Sequence, residues 1–338
     1  ESERSRMTIC RKQLMISAFA LVALGAVALT PGLLGGRVGS ALEVLGSADQ
    51  NWLLLAIIGF VGAFVCTVGA WRAGFAAAGG LICPRRAAAG LGIGSMVNSF
   101  APAKLGDAVK VALLSRAIDG PGRLWTGGGV YAALAAARSL ALALLVVVAS
   151  ITGAVPLWPV FVLCSVVAVL AVVGSLSGRV RSHPRIAQVL EGFAALERSP
   201  RALATVLAWT LGMVACRLGA TVAVAAALGL PHPMLAALLI LPALDVASAF
   251  PITPGSIGIG SGAVAVALAG RGIAMPQALG TGFAMQALET LVSISAGSLG
   301  AVYLASEHAG VRRWTIRVAA VGGSVGIALL GYFLLDLR

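Results

Sequence analysis

Charged residues are scarce in this sequence, at 11% of 338 residues, whereas a soluble globular chain carries about 25%. Hydrophobic residues make up 59%. A protein with so few charged residues is stable only where much of its surface faces an apolar solvent. The composition therefore excludes a soluble enzyme and a soluble binding domain. The composition instead predicts an all-α polytopic membrane protein.

Acidic residues and histidines are scarcer still, numbering 12 and 3. His183, His232 and His308 lie in connections without the spacing of metal ligands, and the sequence contains no DDxxD, HExxH or Walker-type motif. The five cysteines are scattered, without CxxC spacing, and are interpreted as small buried side chains. We therefore expect no enzyme activity, no metal and no cofactor.

Basic residues exceed acidic ones by 12, a surplus that in a soluble protein would indicate nucleic-acid binding. Here they lie in alternate connections between apolar segments, as in Arg85 and Arg86 and the Arg-rich stretch 179–201. By the positive-inside rule this predicts a cytoplasmic N-terminus, an outside C-terminus and no nucleic-acid partner. We expect a multi-pass protein of the cell (plasma) membrane.

Apolar segments long enough to cross a bilayer as helices, which takes about 20 residues, recur along the chain. The first is interpreted as a retained helix because it lacks a clear signal-peptide cleavage site. About seven transmembrane helices are predicted, at 13–30, 52–72, 124–152, 157–176, 201–228, 275–305 and 314–336.

Two further apolar regions are too short, or too interrupted by Gly and Pro, to cross. The first ends at Pro102, and the second is broken by Pro242, Pro251 and Pro254. Such segments favour re-entrant hairpins, which are tolerated at membrane depth only where protein or water surrounds them. We predict two re-entrant hairpins.

The two breaks resemble each other, and aligning Phe100 with Phe250 brings Arg138 close to the position of Glu289. Each break lies in a unit of helix, re-entrant hairpin, helix and helix, which crosses the membrane three times. Because three is an odd number, the second unit would be upside down relative to the first, which is the pattern of inverted-repeat transporters. We predict a single membrane domain, 1–338, with an extra helix and outside loop (13–50), repeat 1 (51–178, hairpin 87–118), a cytoplasmic amphipathic helix (179–200) and repeat 2 (201–338, hairpin 234–271).

Ionisable side chains within a membrane cost about 2.5–3.5 kcal/mol each and are therefore functional candidates. Lys104 and the helix start after Gly106 would favour an anion, as would the backbone N–H groups of the second break. Alternatively, Arg138 could pair with Glu289, and Arg217 with Asp245, to join helices. The predicted substrate-binding residues are Lys104, Asp107, Lys110, Arg138, Arg217, Asp245, Pro254, Gly255, Ser256 and Glu289.

The stretch from Phe100 to Asp107, FAPAKLGD, followed by Val109-Lys110, resembles the P-x-R-x-G-E-x-x-R element of the lysylphosphatidylglycerol synthase transmembrane (flippase-like) family. The later PITPGSIG stretch, 251–258, resembles its P-x-x-P-G-G-x-G element. Lys104 stands where the family usually has Arg, Asp107 where it has Glu, and Ser256 where it has Gly. Lys would hold phosphate less directionally than Arg.

The resemblance implies translocation of a lipid with a charged head group, by the membrane part without the soluble aminoacyl transferase domain of two-domain relatives. We expect a flippase whose partner is a membrane lipid with an anionic head group, and a lipid-modifying enzyme or glycosyltransferase as a further partner. The alternative is a secondary transporter of a small soluble anion, and a less favoured one is an intramembrane lipid-phosphate enzyme. The sequence does not give the oligomeric state.

Overall fold

The computed structural model describes residues 48–101, 104–120, 122–153, 194–196, 198–248 and 258–307. These residues are almost entirely α-helical and include no strand, so the predicted all-α class is confirmed for this part of the chain. The helices are α1 (Gln50–Ala77), α2 (Pro84–Phe100), α3 (Leu105–Leu114), α4 (Arg123–Ile151), α5 (Pro200–Ala227), α6 (Pro233–Ser248), α7 (Ile259–Ala269) and α8 (Met275–Glu307).

Helices α1, α4, α5 and α8 are long and apolar enough to cross a membrane. A helix of 28 residues, such as α1, is about 42 Å long, against about 30 Å for the hydrocarbon core. These helices confirm the predicted segments 52–72, 124–152, 201–228 and 275–305. The other predicted segments, 13–30, 157–176 and 314–336, lie outside the described residues.

The starts of α1 and α5 are fixed by side-chain caps. The Asp49 carboxylate accepts a hydrogen bond from the backbone N–H of Asn51 at 2.8 Å, and the Ser199 hydroxyl accepts one from the N–H of Ala202 at 3.3 Å. Pro200 then occupies the first turn of α5, where its missing N–H is not needed. These caps satisfy donors that a helix start would otherwise leave unpaired.

The shorter helices form two pairs, α2 with α3 and α6 with α7, at the predicted hairpins 87–118 and 234–271. None of the four exceeds 17 residues, or about 26 Å, which is too short for a perpendicular crossing. The re-entrant placement of the pairs stays a prediction. Residues 249–257, which join α6 to α7, lie outside the described residues.

Helices α1 and α5 pack antiparallel through small residues. A Cβ added to Gly62 would lie 3.2 Å from the Cys216 sulfur, and one added to Gly212 would lie 3.2 Å from the Cys66 sulfur. The two Gly–Cys pairs repeat at a spacing of 150 positions (62 to 212 and 66 to 216), as do the bounds of the two helices. The contact therefore has approximate two-fold symmetry.

The described helices form two series in chain order, α1–α4 and α5–α8, and their buried apolar side chains form three clusters. The first half of α1 packs with α5, α6, α7 and α8. The second half of α1 packs with α2, α3, α4 and the start of α5. Leu196, from the predicted amphipathic segment, is buried in this second cluster, although most of 179–200 lies outside the described residues. The third cluster joins α1 and α4 to α5 and α6.

Helices α2 and α8 join the two series through another close contact. A Cβ at Gly92 would come within 2.7 Å of the Ala296 carbonyl carbon, and one at Gly300 within 2.7 Å of the Ala89 Cα. Backbone atoms cannot move aside as a flexible side chain can. This contact therefore requires glycine.

We expect Gly92→Ala to lower the stability of the folded protein by about 1–3 kcal/mol, because the added methyl overpacks the α2–α8 contact. Gly128→Ala on α4 is the matched control, since a Cβ there meets nothing within 4 Å. It should be neutral or stabilising by about 0.5–1 kcal/mol. Thermal unfolding in detergent measures both, and equal effects would contradict the packing described.

We also expect Cys66 and Cys216 to form a disulfide under mild oxidation, because both thiols lie in the α1–α5 contact, each beside a glycine of the facing helix. The protein should keep only these cysteines, with serine at the other positions. Mass spectrometry of proteolytic fragments detects the bridge. A protein that keeps only Cys83 and Cys216 is the control and should give no intrachain bridge. Failure of the first pair to react would contradict the antiparallel α1–α5 contact.

Candidate functional site

A cavity of about 340 Å³ lies between the two series and is lined by residues from each of the eight described α-helices. Its walls hold every ionisable residue of the predicted site. These are Lys104, Asp107, Lys110, Arg138, Arg217, Asp245 and Glu289. The predicted residues Pro254, Gly255 and Ser256 lie outside the described residues, so their position stays a prediction.

The Asp107 carboxylate is the acceptor in one of two polar clusters. Its Oδ1 accepts hydrogen bonds from Asn98 Nδ2 and Lys110 Nζ, both at 2.9 Å, and its Oδ2 accepts one from the Tyr131 hydroxyl at 2.9 Å. Asp107 lies in the first turn of α3, where a carboxylate also interacts favourably with the positive end of the helix dipole. It ties α3 to α2 and α4, which is more than an ordinary helix cap does.

Lys104 precedes α3 in a left-handed backbone conformation, with φ 54°. Such a conformation is uncommon for a residue other than glycine, and it often marks a functional position. The sequence analysis placed the start of this helix after Gly106, whereas α3 begins at Leu105. Gly106 instead allows α3 to pack against α2, since a Cβ there would overlap the Gly94 carbonyl oxygen and the Asn98 side chain.

Asp245 is the centre of the second cluster. Arg217 Nη1 donates to Asp245 Oδ1 at 3.0 Å and to Oδ2 at 3.2 Å, and Arg138 Nη2 donates to Oδ1 at 2.7 Å. Arg217 Nη2 reaches Glu289 Oε1 at 3.3 Å. The side chains of Arg217 and Asp245 are only 9% and 10% exposed, whereas those of Arg138 and Glu289 are 45% and 46% exposed.

The alternative pairing expected from the sequence is right for Arg217 with Asp245 but wrong for Arg138 with Glu289. Arg138 pairs with Asp245 because that carboxylate, on α6, lies between the guanidinium groups of α4 and α5. Glu289 pairs with Arg217 instead. Arg138–Asp245 therefore joins α4 of the first series to α6 of the second.

The charges lining the cavity do not balance. Its described lining holds four cations and three carboxylates. Lys110, Arg138 and Arg217 each pair with a carboxylate. Lys104 has no ion-pair or hydrogen-bond partner for its ammonium group among the described residues. The one net positive charge of this lining therefore lies at Lys104.

Sequence reasoning missed Asn98 and Tyr131, which position Asp107. Both are neutral, so a search for ionisable groups passes over them, although each is a polar residue within a largely apolar helix. The Tyr131 ring also lies 5.8 Å from that of Trp71, in a tilted contact that fixes its position. Within the described residues, no group of three or more His, Cys, Asp or Glu side chains is placed to hold a metal ion.

A comparison with protein families identifies the chain. The family model described as lysylphosphatidylglycerol synthase TM region matches residues 15–297. The chain belongs to this family. The match covers most of the chain and includes the whole described lining of the cavity. A search of curated proteins found no match.

In this member of the lysylphosphatidylglycerol synthase TM family, we expect Asp245→Asn to destabilise the fold by about 3 kcal/mol or more, because it removes the carboxylate that both buried Arg217 and Arg138 bind. Glu289→Gln should cost less than about 1 kcal/mol, since the Glu289 side chain is half-exposed. Thermal unfolding of both variants in detergent measures the difference. An Asp245→Asn protein as stable as Glu289→Gln would contradict the central place of Asp245.

Proposed function

We propose that this chain is a translocase that moves a phosphate-containing lipid from one leaflet of the membrane to the other. The observation on which this rests is the Lys104 ammonium group, which lines a cavity whose three other cations are paired with carboxylates. Lys104 is exposed, so its ammonium group is accessible to a ligand. An anionic head group would supply the missing charge.

The surroundings of Lys104 favour an anion over a cation. It precedes the first turn of α3, whose early backbone N–H groups carry partial positive charge. Gly260, in the first turn of α7, lines the same cavity. Two helix starts therefore reach the site, and both would stabilise a phosphate there.

We further propose that the two series are inverted repeats. Support comes from the equal length and antiparallel packing of α1 and α5, and from the matching order of long, short, short and long helices. In inverted-repeat transporters the substrate site lies at the interface of the repeats. The cavity has this position, because both series contribute to its walls.

In this mechanism the incoming phosphate competes with Asp245 for Arg138. Arg138 is half-exposed and has one carboxylate partner, whereas Arg217 keeps both Asp245 and Glu289. Arg138–Asp245 is an ion pair that links the first series to the second. Loosening it would allow one series to move against the other, so binding and opening would be coupled.

The cargo within this class is an aminoacyl-phospholipid, a phospholipid or a polyprenyl-phosphate-linked glycan. Translocation needs no covalent step, so the proposal assigns no catalytic residue and no cofactor. We place the protein in the plasma membrane, with its N-terminus cytoplasmic and its C-terminus outside. A lipid-modifying enzyme or a glycosyltransferase would supply the lipid as a partner.

We expect purified protein in proteoliposomes to exchange fluorescent phosphatidylglycerol between leaflets, and Lys104→Ala to abolish most of this activity because the uncompensated charge is lost. Lys104→Arg should keep it. Lys104→Gly should lose it although glycine relieves the left-handed backbone, which separates charge from strain. Chemical quenching of the outer-leaflet reporter measures the exchange.

Arg201→Ala is the matched control, since Arg201 is an exposed cation that does not line the cavity. It should exchange lipid as the wild type does. If no lipid class moves while a soluble anion such as glycerol phosphate enters loaded vesicles, the translocase proposal is wrong and the chain is an anion transporter. Full exchange activity in Lys104→Ala would show that Lys104 does not bind the head group.

A further inference from the structure

A second groove opens from the same end of α3 as the charged cavity. It measures about 370 Å³ and shares Lys104 and Asp107 with that cavity. The remaining wall comes from one stripe on α3 and one on α4, and apart from Tyr131 it is apolar. Those residues are Ala108, Val111, Ala112, Leu124 and Tyr131.

The polarity of the groove changes along its length. Helices α3 and α4 are antiparallel here, because Tyr131 contacts Asp107 while Gly127 faces Val111. One end therefore holds charged and hydroxyl groups, and the other end holds Val111, Ala112 and Leu124. From Lys104 to Ala112 the stripe on α3 is about 12 Å long.

We infer that this groove holds one hydrocarbon chain of the lipid whose phosphate lies at Lys104. The inference deepens the proposed function and rests on it, since it names the part of the substrate that lies outside the charged cavity. A ligand that fits both spaces must be charged at one end and apolar next to that charge. A small soluble anion would leave the α3–α4 groove unused.

Small side chains keep the groove open. Ala108 and Ala112 are exposed on α3, and Leu124 is 53% exposed at the start of α4. A groove with this lining admits a hydrocarbon chain without burying any polar group unpaired, which would be costly at membrane depth. Asp107 and Tyr131 are hydrogen-bonded to each other where the two spaces meet. They separate the head group from the chain.

The test uses Ala112→Phe, which fills the groove without altering the charged cavity. Exchange of fluorescent phosphatidylglycerol in proteoliposomes should fall about tenfold, the effect expected when one large side chain overpacks a binding site. Ala136→Phe is the matched control, since Ala136 is an exposed alanine on α4 that lines neither space. It should retain wild-type exchange, and both variants should match the wild type in thermal stability.

A second measurement locates the chain directly. Phosphatidic acid with a photoactivatable acyl chain should label Val111, Ala112 or Leu124 in the wild-type protein more than Leu54 and Ile58 of α1, which are 53% and 66% exposed. Ala112→Phe should lose this preference. Even labelling of both surfaces, with wild-type exchange in Ala112→Phe, would overturn the inference that the groove holds a hydrocarbon chain. It would leave the translocase proposal standing.

The two proposals fail in different ways. Wild-type protein that moves no lipid but is labelled in the groove would overturn translocation and support the groove as a lipid site. Wild-type protein that moves no lipid and shows even labelling would overturn both.

Discussion

The cavity depends on one carboxylate. Asp245 accepts hydrogen bonds from Arg217 on α5 and Arg138 on α4, and it does so where a lone charge of either sign would be costly. Because Asp245 is on α6, its two partners tie α6 to a helix of its own series and to a helix of the other. Glu289 adds a second counter-charge for Arg217. Of the cations in the described lining, Lys104 alone has no carboxylate partner among the described residues.

Close helix packing is what brings these charges together. Glycine at positions 62 and 212 lets α1 and α5 approach closely, and glycine at 92 and 300 does the same for α2 and α8. Membrane helices associate through such small residues because lipid offers no hydrophobic driving force between them. The same contacts leave the charged cavity between the two helix series. Family membership over residues 15–297 places this arrangement within a family of membrane domains.

Much of the outline follows from the sequence, because hydrophobic length and Gly/Pro interruptions directly determine where helices start and stop. The four described long helices and the two helix pairs were predictable for that reason. The cost of a charge within a membrane is a separate reason, and from it Asp107 and Asp245 were predicted as site residues. The partner of Arg138 was not predictable, since it depends on whether Asp245 or Glu289 lies closer in three dimensions. The role of Gly106 depended likewise on how closely α2 passes. The left-handed turn at Lys104 goes against the preference of its own side chain.

The competition between substrate and Asp245 for Arg138 is the central claim, and one distance tests it directly. Spin labels at Leu140→Cys on α4 and Val246→Cys on α6, both exposed sites near the ion pair, would report that distance in nanodiscs after the native cysteines are replaced. Nanodiscs of phosphatidylglycerol and of an uncharged galactolipid should be compared. The account predicts a longer-distance population that appears only with the phospholipid. A single distribution, the same in both lipids, would contradict it.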